Sequence, residues 1–358
     1  MCRFSEENLF KMTKLIFLKA GAPEGRAEIV AKSLIDTNLM GIDSHGIAMI
    51  YRYLELIDLG WLDPNADIEV EVENTSSCLI NGNWCFGQVV CSNAMDMAIS
   101  KAKDTGIAYA SVYNSSHCGR LGQYSEQAAM NGMIGITMIN NHGAGRMVAP
   151  FGGTQRRLST NPLSIAIPYK DKRPFLLDMT TSVVAERKIK LKHLSNERTP
   201  EGWFITEDGR LSTDPEEFYS DPPGALQAFG GAVGYKGYGL SLAVDILAGA
   251  ISSAGCSNPI SKKVGNSFLG IVINPNNSSQ LADSVNGLLE YVKSSKKAPG
   301  IDEILYPGEL EQRTFAERKQ KGITVPKDIK ELLQKALKKL DIEDVFLTDS
   351  NLIRNIKD

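Results

Sequence analysis

At 358 residues, with 42% hydrophobic and 23% charged side chains, the chain has apolar material for one large core or two to three smaller ones. Its 39 basic and 42 acidic residues leave a formal charge of -3, which offers no field to gather nucleic acid or an anionic membrane. No apolar run approaches the ~18 to 20 residues of a membrane span, and Glu6, Glu7, Lys11 and Lys14 interrupt any secretion-signal pattern, so a soluble, cytoplasmic protein is expected.

In chain order, Ser5 followed by Glu6 and Glu7 predicts one helix start and Pro23-Glu24 another, running through Ala31 to Leu39. The run Gly60-Trp61-Leu62-Asp63-Pro64-Asn65 predicts the end of that helical stretch. Ile68 to Ile80 alternates like a strand, and Asn81-Gly82 offers a tight turn. Periodicity then predicts a helix over Met95 to Lys103, a strand over Ile107 to Val112, a helix over Gln123 to Met130 and a strand over Ile134 to Ile139. Leu163 to Ile167, Phe175 to Leu177 and Phe268 to Ile273 are further strands, and Tyr238 to Ala250 is a long apolar helix. From Asp283 onward charge and helical spacing return, and Pro326 to Leu340 has the pattern of a solvated amphipathic helix.

The inventory narrows the chemistry. Six scattered cysteines form no C-x-x-C pair and are expected as reduced thiols, and four histidines fall in no metal-binding pattern, so no metal is expected. Neither G-x-G-x-x-G nor G-x-x-x-x-G-K-[ST] is present, so any dinucleotide site must be built without the Rossmann or P-loop device. His45, in Gly41-Ile42-Asp43-Ser44-His45-Gly46, suits proton transfer with Ser44 or Asp43 orienting it, and equally suits a helix-terminal packing role. Asn114 to Gly119, holding His117, follows a strand, where α/β sites tend to lie; a capping turn explains it as well. Ala149 to Gly153 and Thr160-Asn161-Pro162 carry turn chemistry. Asp178-Met179-Thr180-Thr181-Ser182 suits ribose and phosphate contacts or an ordinary cap, and Lys236 among Gly234, Gly237 and Gly239 suits an anion site or a solvated loop.

The order of these segments resembles that of the malate/L-lactate dehydrogenase family of NAD(P)-dependent oxidoreductases over nearly the whole chain. It is carried by Asp43-Ser44-His45-Gly46, Asn114 to Gly119, Ala149 to Gly153, Thr160-Asn161-Pro162, Leu177-Asp178-Met179 with Ser182, Gly234 to Leu240 and Pro307-Gly308-Glu309. The resemblance implies an α/β, sulfolactate/malate dehydrogenase-like fold: a helical lobe plus a mixed, largely antiparallel, non-Rossmann sheet domain, in a homodimer. It divides the chain into a helical lobe, 1–66 with 285–358, a central substrate and dimer lobe, 67–120 with 235–284, and a dinucleotide domain, 121–234. It implies hydride transfer between NAD or NADP and a small 2-hydroxy or 2-oxo acid, with reduction of a cyclic imine carboxylate or a catalytically silent dinucleotide-binding protein as alternatives. His117, slightly favoured over His45, would be the acid/base, with Ser44 beside His45. Arg52, Asn114 and Thr160 would meet substrate, and Asn141, Asn161, Asp178, Met179, Thr180, Lys236, Gly308 and Glu309 would meet the cofactor.

Three positions depart from the resemblance. An arginine usual four residues after the motif histidine is Met49 here, for which Arg52 is the expected substitute, and Gly46 to Ile50 instead resembles a bacterial hydroxycarboxylate dehydrogenase branch. Ser159 and Arg187 each replace a usual glycine, which raises the prospect of a side chain obstructing the cofactor.

Overall fold

A computed structural model of the chain describes residues 2–169, 173–260, 263–275 and 278–348. A short strand, β1 (Cys2–Phe4), precedes helices α1 (Glu6–Lys19) and α2 (Glu24–Leu39). The Ser5 hydroxyl accepts the Asn8 N–H at 3.2 Å, satisfying one donor that a helix start leaves open, and Glu6 and Glu7 lie where the helix dipole favours anions. Leu9, Met12, Ile16 and Phe17 then share one buried face. Two 3₁₀ turns, Asp43–His45 and Ile47–Met49, lead into α3 (Ile50–Asp58), which stops just before Gly60.

The stretch expected as one strand is a hairpin of β2 (Glu69–Glu73) and β3 (Ser77–Asn81), reversing over 74–76 where Asn74 N–H reaches Ser77 O at 2.8 Å, and the tight turn expected at Asn81-Gly82 follows, with Cys85 N–H on Gly82 O at 2.8 Å. α4 (Gly87–Thr105) contains the expected Met95 to Lys103 but begins eight residues earlier, and the next elements fall where the spacing puts them: β4 (Ile107–Ser115), α5 (Gly122–Met130), β5 (Ile134–Asn140), β6 (Leu163–Ile167) and β7 (Phe175–Met179). Beyond them lie α6 (Glu186–Leu194), the two-residue strands β8 (Phe204–Ile205) and β9 (Leu211–Ser212), α7 (Pro215–Tyr219) and β10 (Ala225–Leu226). The chain continues through α8 (Tyr235–Ala250), β11 (Asn266–Ile273), α9 (Ser278–Lys293), α10 (Glu309–Lys321), β12 (Ile323–Val325) and α11 (Lys327–Lys339).

Among the described residues the main sheet has seven strands in the order β2-β3-β4-β11-β5-β6-β7, and β3–β4 is its one parallel pair. β11, late in the chain, inserts between β4 and β5, so a doubly wound Rossmann order is excluded by topology as well as by motif. Phe268, Leu269 and Val272 are buried, as befits a central strand covered on both faces. At Gly270 a Cβ would stand 2.4 Å from the Met95 sulfur, which is how closely α4 lies on the sheet.

The alternation of pairing fixes where chemistry collects. β3, β4, β5 and β7 run the same way, so their C-terminal ends, together with the entries to β6 and β11, meet at one edge of the sheet. Residues 114–120, 140–142, 160–161 and 178–182 all lie along that edge. One core joins α1, α2, α3, α4 and α5 to the sheet and includes Leu333, Ala336 and Leu337 of α11. The expected amphipathic helix is α11: its charged face is solvated, and its apolar stripe closes the helical layer over α3. Residues 349–358 of that stretch lie outside the described residues. A smaller core, with Val148, Leu158, Ile189, Phe204, Phe218 and Leu226, supports α6.

Candidate active site

The loop that presents His45 is seated from behind. Asp43 accepts from Asn38 Nδ2 at 2.6 Å and from both terminal nitrogens of Arg318 at 2.6 and 3.0 Å, tying the turn to α2 and α10. Gly46 has to be glycine, because a Cβ there would lie 2.1 Å from Asn38 Oδ1, the atom that accepts the Ile47 N–H. The Ser44 hydroxyl bonds the His45 Nδ1 atom at 2.9 Å. Within the D-S-H-G stretch, therefore, the aspartate and glycine build the turn while the serine steers the ring.

His117 is held over the same space from the end of β4. Its Nδ1 accepts the Gly119 N–H at 3.2 Å and lies 2.9 Å from the Tyr53 hydroxyl, which in turn accepts from Gln88 Nε2 at 2.7 Å. Gly87 lets α4 start directly beneath this loop, since a Cβ would stand 2.5 Å from Ser116 O. The two imidazoles stack, with centroids 5.6 Å apart and planes 26° from parallel. Both rings remain part-exposed while enclosed by protein. Burial, reinforced by the charge of Arg187, pushes the His45 imidazole down to about 4, and burial, His45, Arg52 and Arg187 together push His117 down to about 3. Both rings are accordingly neutral at physiological pH. A third histidine, His142, accepts the Asn114 N–H at Nε2 (3.0 Å) and is pushed down to about 4, again mainly by burial.

The remaining expected site residues divide into those that face open space and those spent internally. Asp178, at the end of β7, is solvent-exposed yet surrounded by protein, as on a cleft floor; its Oδ2 accepts the Gly122 N–H at 2.9 Å. Burial raises its pKa, opposed by Arg120 and by the Gly122 N–H. Arg120 is buried, gives one bond to Glu126 at 2.8 Å, and leaves Nε and Nη1 without partners. Thr180 Oγ1 donates to Ser182 O at 3.1 Å, while Met179 and Thr160 are part-exposed. Lys236 is exposed in the first turn of α8, which starts without a side-chain cap. That turn abuts the end of β7: Phe229 N–H donates to Thr181 O at 3.0 Å, and Gly237 packs so tightly on Phe229 that a Cβ would lie 2.1 Å from its carbonyl oxygen. Asn141 Oδ1 accepts from Asn266 Nδ2 at 2.8 Å, and Asn114 Nδ2 donates to Asn81 Oδ1 at 3.2 Å.

Asn161 is different. It is fully buried, and its Nδ2 donates to Ser241 O at 3.1 Å and Asp245 Oδ2 at 3.1 Å, so its amide braces α8. Ser159 turns inward, its hydroxyl donating to Asn161 Oδ1 at 2.6 Å, and does not obstruct the cleft. Glu309 is also engaged, by Lys293 at 2.6 Å and Arg313 at 2.5 Å, while Gly308, at φ +89°, seats the turn against Leu176 of β7. Arg52 is exposed and paired with Glu55 at 2.6 Å. Sequence reasoning missed Tyr53, Gln88, Arg120 and His142, and treated Arg187 only as an obstruction. Gln88, a polar residue inside an otherwise buried helix start, was the one readable signal.

A carboxylate on a cleft floor, an uncapped helix start beside a lysine and buried guanidinium donors in want of an acceptor are what the ribose hydroxyls and pyrophosphate of a dinucleotide require. Among the described residues no helix is long and apolar enough to cross a membrane, and no group of three or more His, Cys, Asp and Glu could hold a metal.

Known proteins share this arrangement of chain and fold. A family model described as malate/L-lactate dehydrogenase matches residues 4–334. The malate dehydrogenase of Pyrococcus horikoshii is 38% identical over 352 residues, covering 95% of this chain and 96% of its own. The solved sulfolactate dehydrogenase of Methanocaldococcus jannaschii superposes with a TM-score of 0.84 at 34% identity, covering 95% of this chain and 98% of that one. The Δ1-piperideine-2-carboxylate reductase of Pseudomonas syringae gives 0.82 at 25% identity, covering 94% and 100%. With the match running through both histidine loops and the seven-stranded sheet, the chain belongs to the malate/L-lactate dehydrogenase family.

Proposed function

We propose that this protein moves a hydride between a nicotinamide dinucleotide, NAD or NADP, and C2 of a small 2-hydroxy or 2-oxo acid of the malate and lactate class, with His117 exchanging the proton. The observation that carries this reading is the pair of neutral, stacked imidazoles at the same edge of the sheet where β7 ends with Asp178 and Met179 and leads to Thr180. When bound, the nicotinamide accepts or supplies the hydride. His117 Nδ1 is anchored, so Nε2 is the nitrogen left to meet the substrate oxygen. The Tyr53 hydroxyl is able to donate to Nδ1 or accept from it, and so holds the ring in either protonation state. Both imidazoles are neutral in the free protein, and His117 takes a substrate hydroxyl proton at Nε2 in the tautomer that carries its proton on Nδ1 and donates it to Tyr53, giving up the longer Gly119 N–H contact; a bound carboxylate raises the imidazole pKa and favours the acid form needed for reduction. Asp178, Thr180, Asn141 and Lys236 would hold the dinucleotide directly, with Asn161 and Glu309 supporting from behind.

A homodimer is part of the proposal, supported by Ile246, Ile251, Leu288 and Tyr291, which leave large apolar side chains exposed on α8, just beyond it and on α9. A reducing, cytoplasmic setting is supported by the six free thiols.

The test is a panel of 2-oxo acids and cyclic imine carboxylates with NADH and NADPH, followed at 340 nm. Turnover of a 2-oxo acid is expected. Preference for the imine would favour the reductase reading that the Pseudomonas syringae relative suggests, and NADH binding without turnover of any of them would indicate a silent protein. In the active enzyme Tyr53→Phe is expected to lower kcat about tenfold with the fold intact, since the change keeps ring volume and removes the hydroxyl that bonds His117 Nδ1 and Gln88 Nε2. An unchanged kcat and pH profile would remove Tyr53 from the proton path.

A further inference from the structure

Two departures in the sequence meet at one point in the structure. Met49 closes the second 3₁₀ turn, one step beyond the His45 loop, and Arg187 in the first turn of α6 extends Nη1 to within 3.9 Å of the Met49 sulfur. That sulfur is a weak acceptor, and among the described residues no aspartate or glutamate forms an ion pair with Arg187. The guanidinium is part-buried, and its charge bears on both His45 and His117. An arginine left without a counter-ion beside two neutral imidazoles is a preformed anion site: its fork of donors matches a carboxylate, and the cost of holding it partly out of water is offset only when an anion arrives. Arg52, the other cation of this region, already has Glu55.

We propose that Arg187 grips the C1 carboxylate of the substrate, reaching from α6 into space beside Met49, so that the anion clamp comes from the opposite wall of the cleft to the one the sequence suggests. This rests on the proposed 2-oxo acid chemistry. It makes Arg187 a specificity residue: it orients C2 toward His117 and rejects substrates that lack the carboxylate.

Steady-state kinetics with a 2-oxo acid and its methyl ester test it. Arg187→Met is expected to raise KM for the acid about 100-fold, the scale of a lost bidentate charge-assisted contact, and to use acid and ester alike. The Kd for NADH, read by fluorescence, should stay within about twofold, and Arg187→Lys, which keeps charge without the fork, should recover part of the loss. Moving the guanidinium back, in Met49→Arg/Arg187→Gly, should restore KM to within about tenfold of the wild type. The inference is overturned if Arg187→Met leaves KM within about threefold, or if NADH affinity falls by the same factor as that for the acid, which would assign Arg187 to the cofactor. Should the wild-type protein reduce no 2-oxo acid, the functional reading fails first. The clamp is then judged by oxamate, an unreactive 2-oxo acid isostere, titrated into NADH-saturated protein: weaker binding to Arg187→Met supports it and equal binding overturns it.

Discussion

Replacing His117 by alanine is expected to lower kcat for NADH-linked turnover by about 10²- to 10⁴-fold, the usual worth of a positioned proton-transfer group. NADH binding should survive, because the dinucleotide contacts proposed at Asp178, Thr180 and Lys236 do not depend on that ring. His45→Ala should cost less in kcat and more in KM, since His45 stacks on His117 and stands four residues before Met49, whose sulfur Arg187 meets. The pH dependence supplies a second reading. With the two imidazoles pushed down to about 3 and about 4, kcat/KM for oxidation of the hydroxy acid should show no histidine inflection near 6.5 and should hold from pH 8 to about 5. An intact rate in His117→Ala with collapse in His45→Ala would transfer the proton to His45.

Acid should unfold this protein earlier than its surface carboxylates alone require. His45, His117 and His142 all have folded pKa values of about 3 to 4, against 6.5 for an unperturbed imidazole. Above pH 6.5 neither state binds these protons. Below it the unfolded chain takes them up while the folded chain refuses them, so stability falls until the folded values are reached. Each group contributes about 1.4 kcal/mol per pH unit inside that window, hence a slope of up to about 4 kcal/mol per pH unit near pH 5. Urea midpoints at pH 7, 6 and 5 read the slope, and His142→Gln, away from the stacked pair, should reduce it by about a third. A stability curve flat from pH 7 to 5 would mean the three rings are not buried as described.

Local signals in the chain were strong where each residue's burden was local. The Ser5 cap, the alternation of Ile134 to Ile139 and the spacing of Gln123 to Met130 each report one element's own geometry, and each element stands where the periodicity puts it. The insertion of β11 between β4 and β5 is a pairing over more than a hundred residues, to which neither strand's sequence testifies. The reversal over 74–76 was missed because no Gly or Pro marks it within Ile68 to Ile80, whereas the turn at Asn81-Gly82 was legible, and there a Cβ on Gly82 would lie 2.9 Å from the carbonyl of Asn114. In the site, both histidines stood out by their polar loops, whereas Tyr53 looked like any core aromatic of α3. Asn161 looked like a ligand contact because its partners, Ser241 and Asp245, lie some eighty residues away.

The antiparallel pairing of β1 with β12 matches Cys2 with Val325 and Phe4 with Ile323, and Arg318 holds the turn that carries His45. Synthesis on the ribosome therefore delivers both imidazoles long before the guanidinium that seats one of them. Until α10 and α11 emerge, the sides of α2 and α3 that those helices cover stay open, and a nascent chain halted after β11 would own every proposed proton donor yet lack the Arg318 that seats the His45 turn.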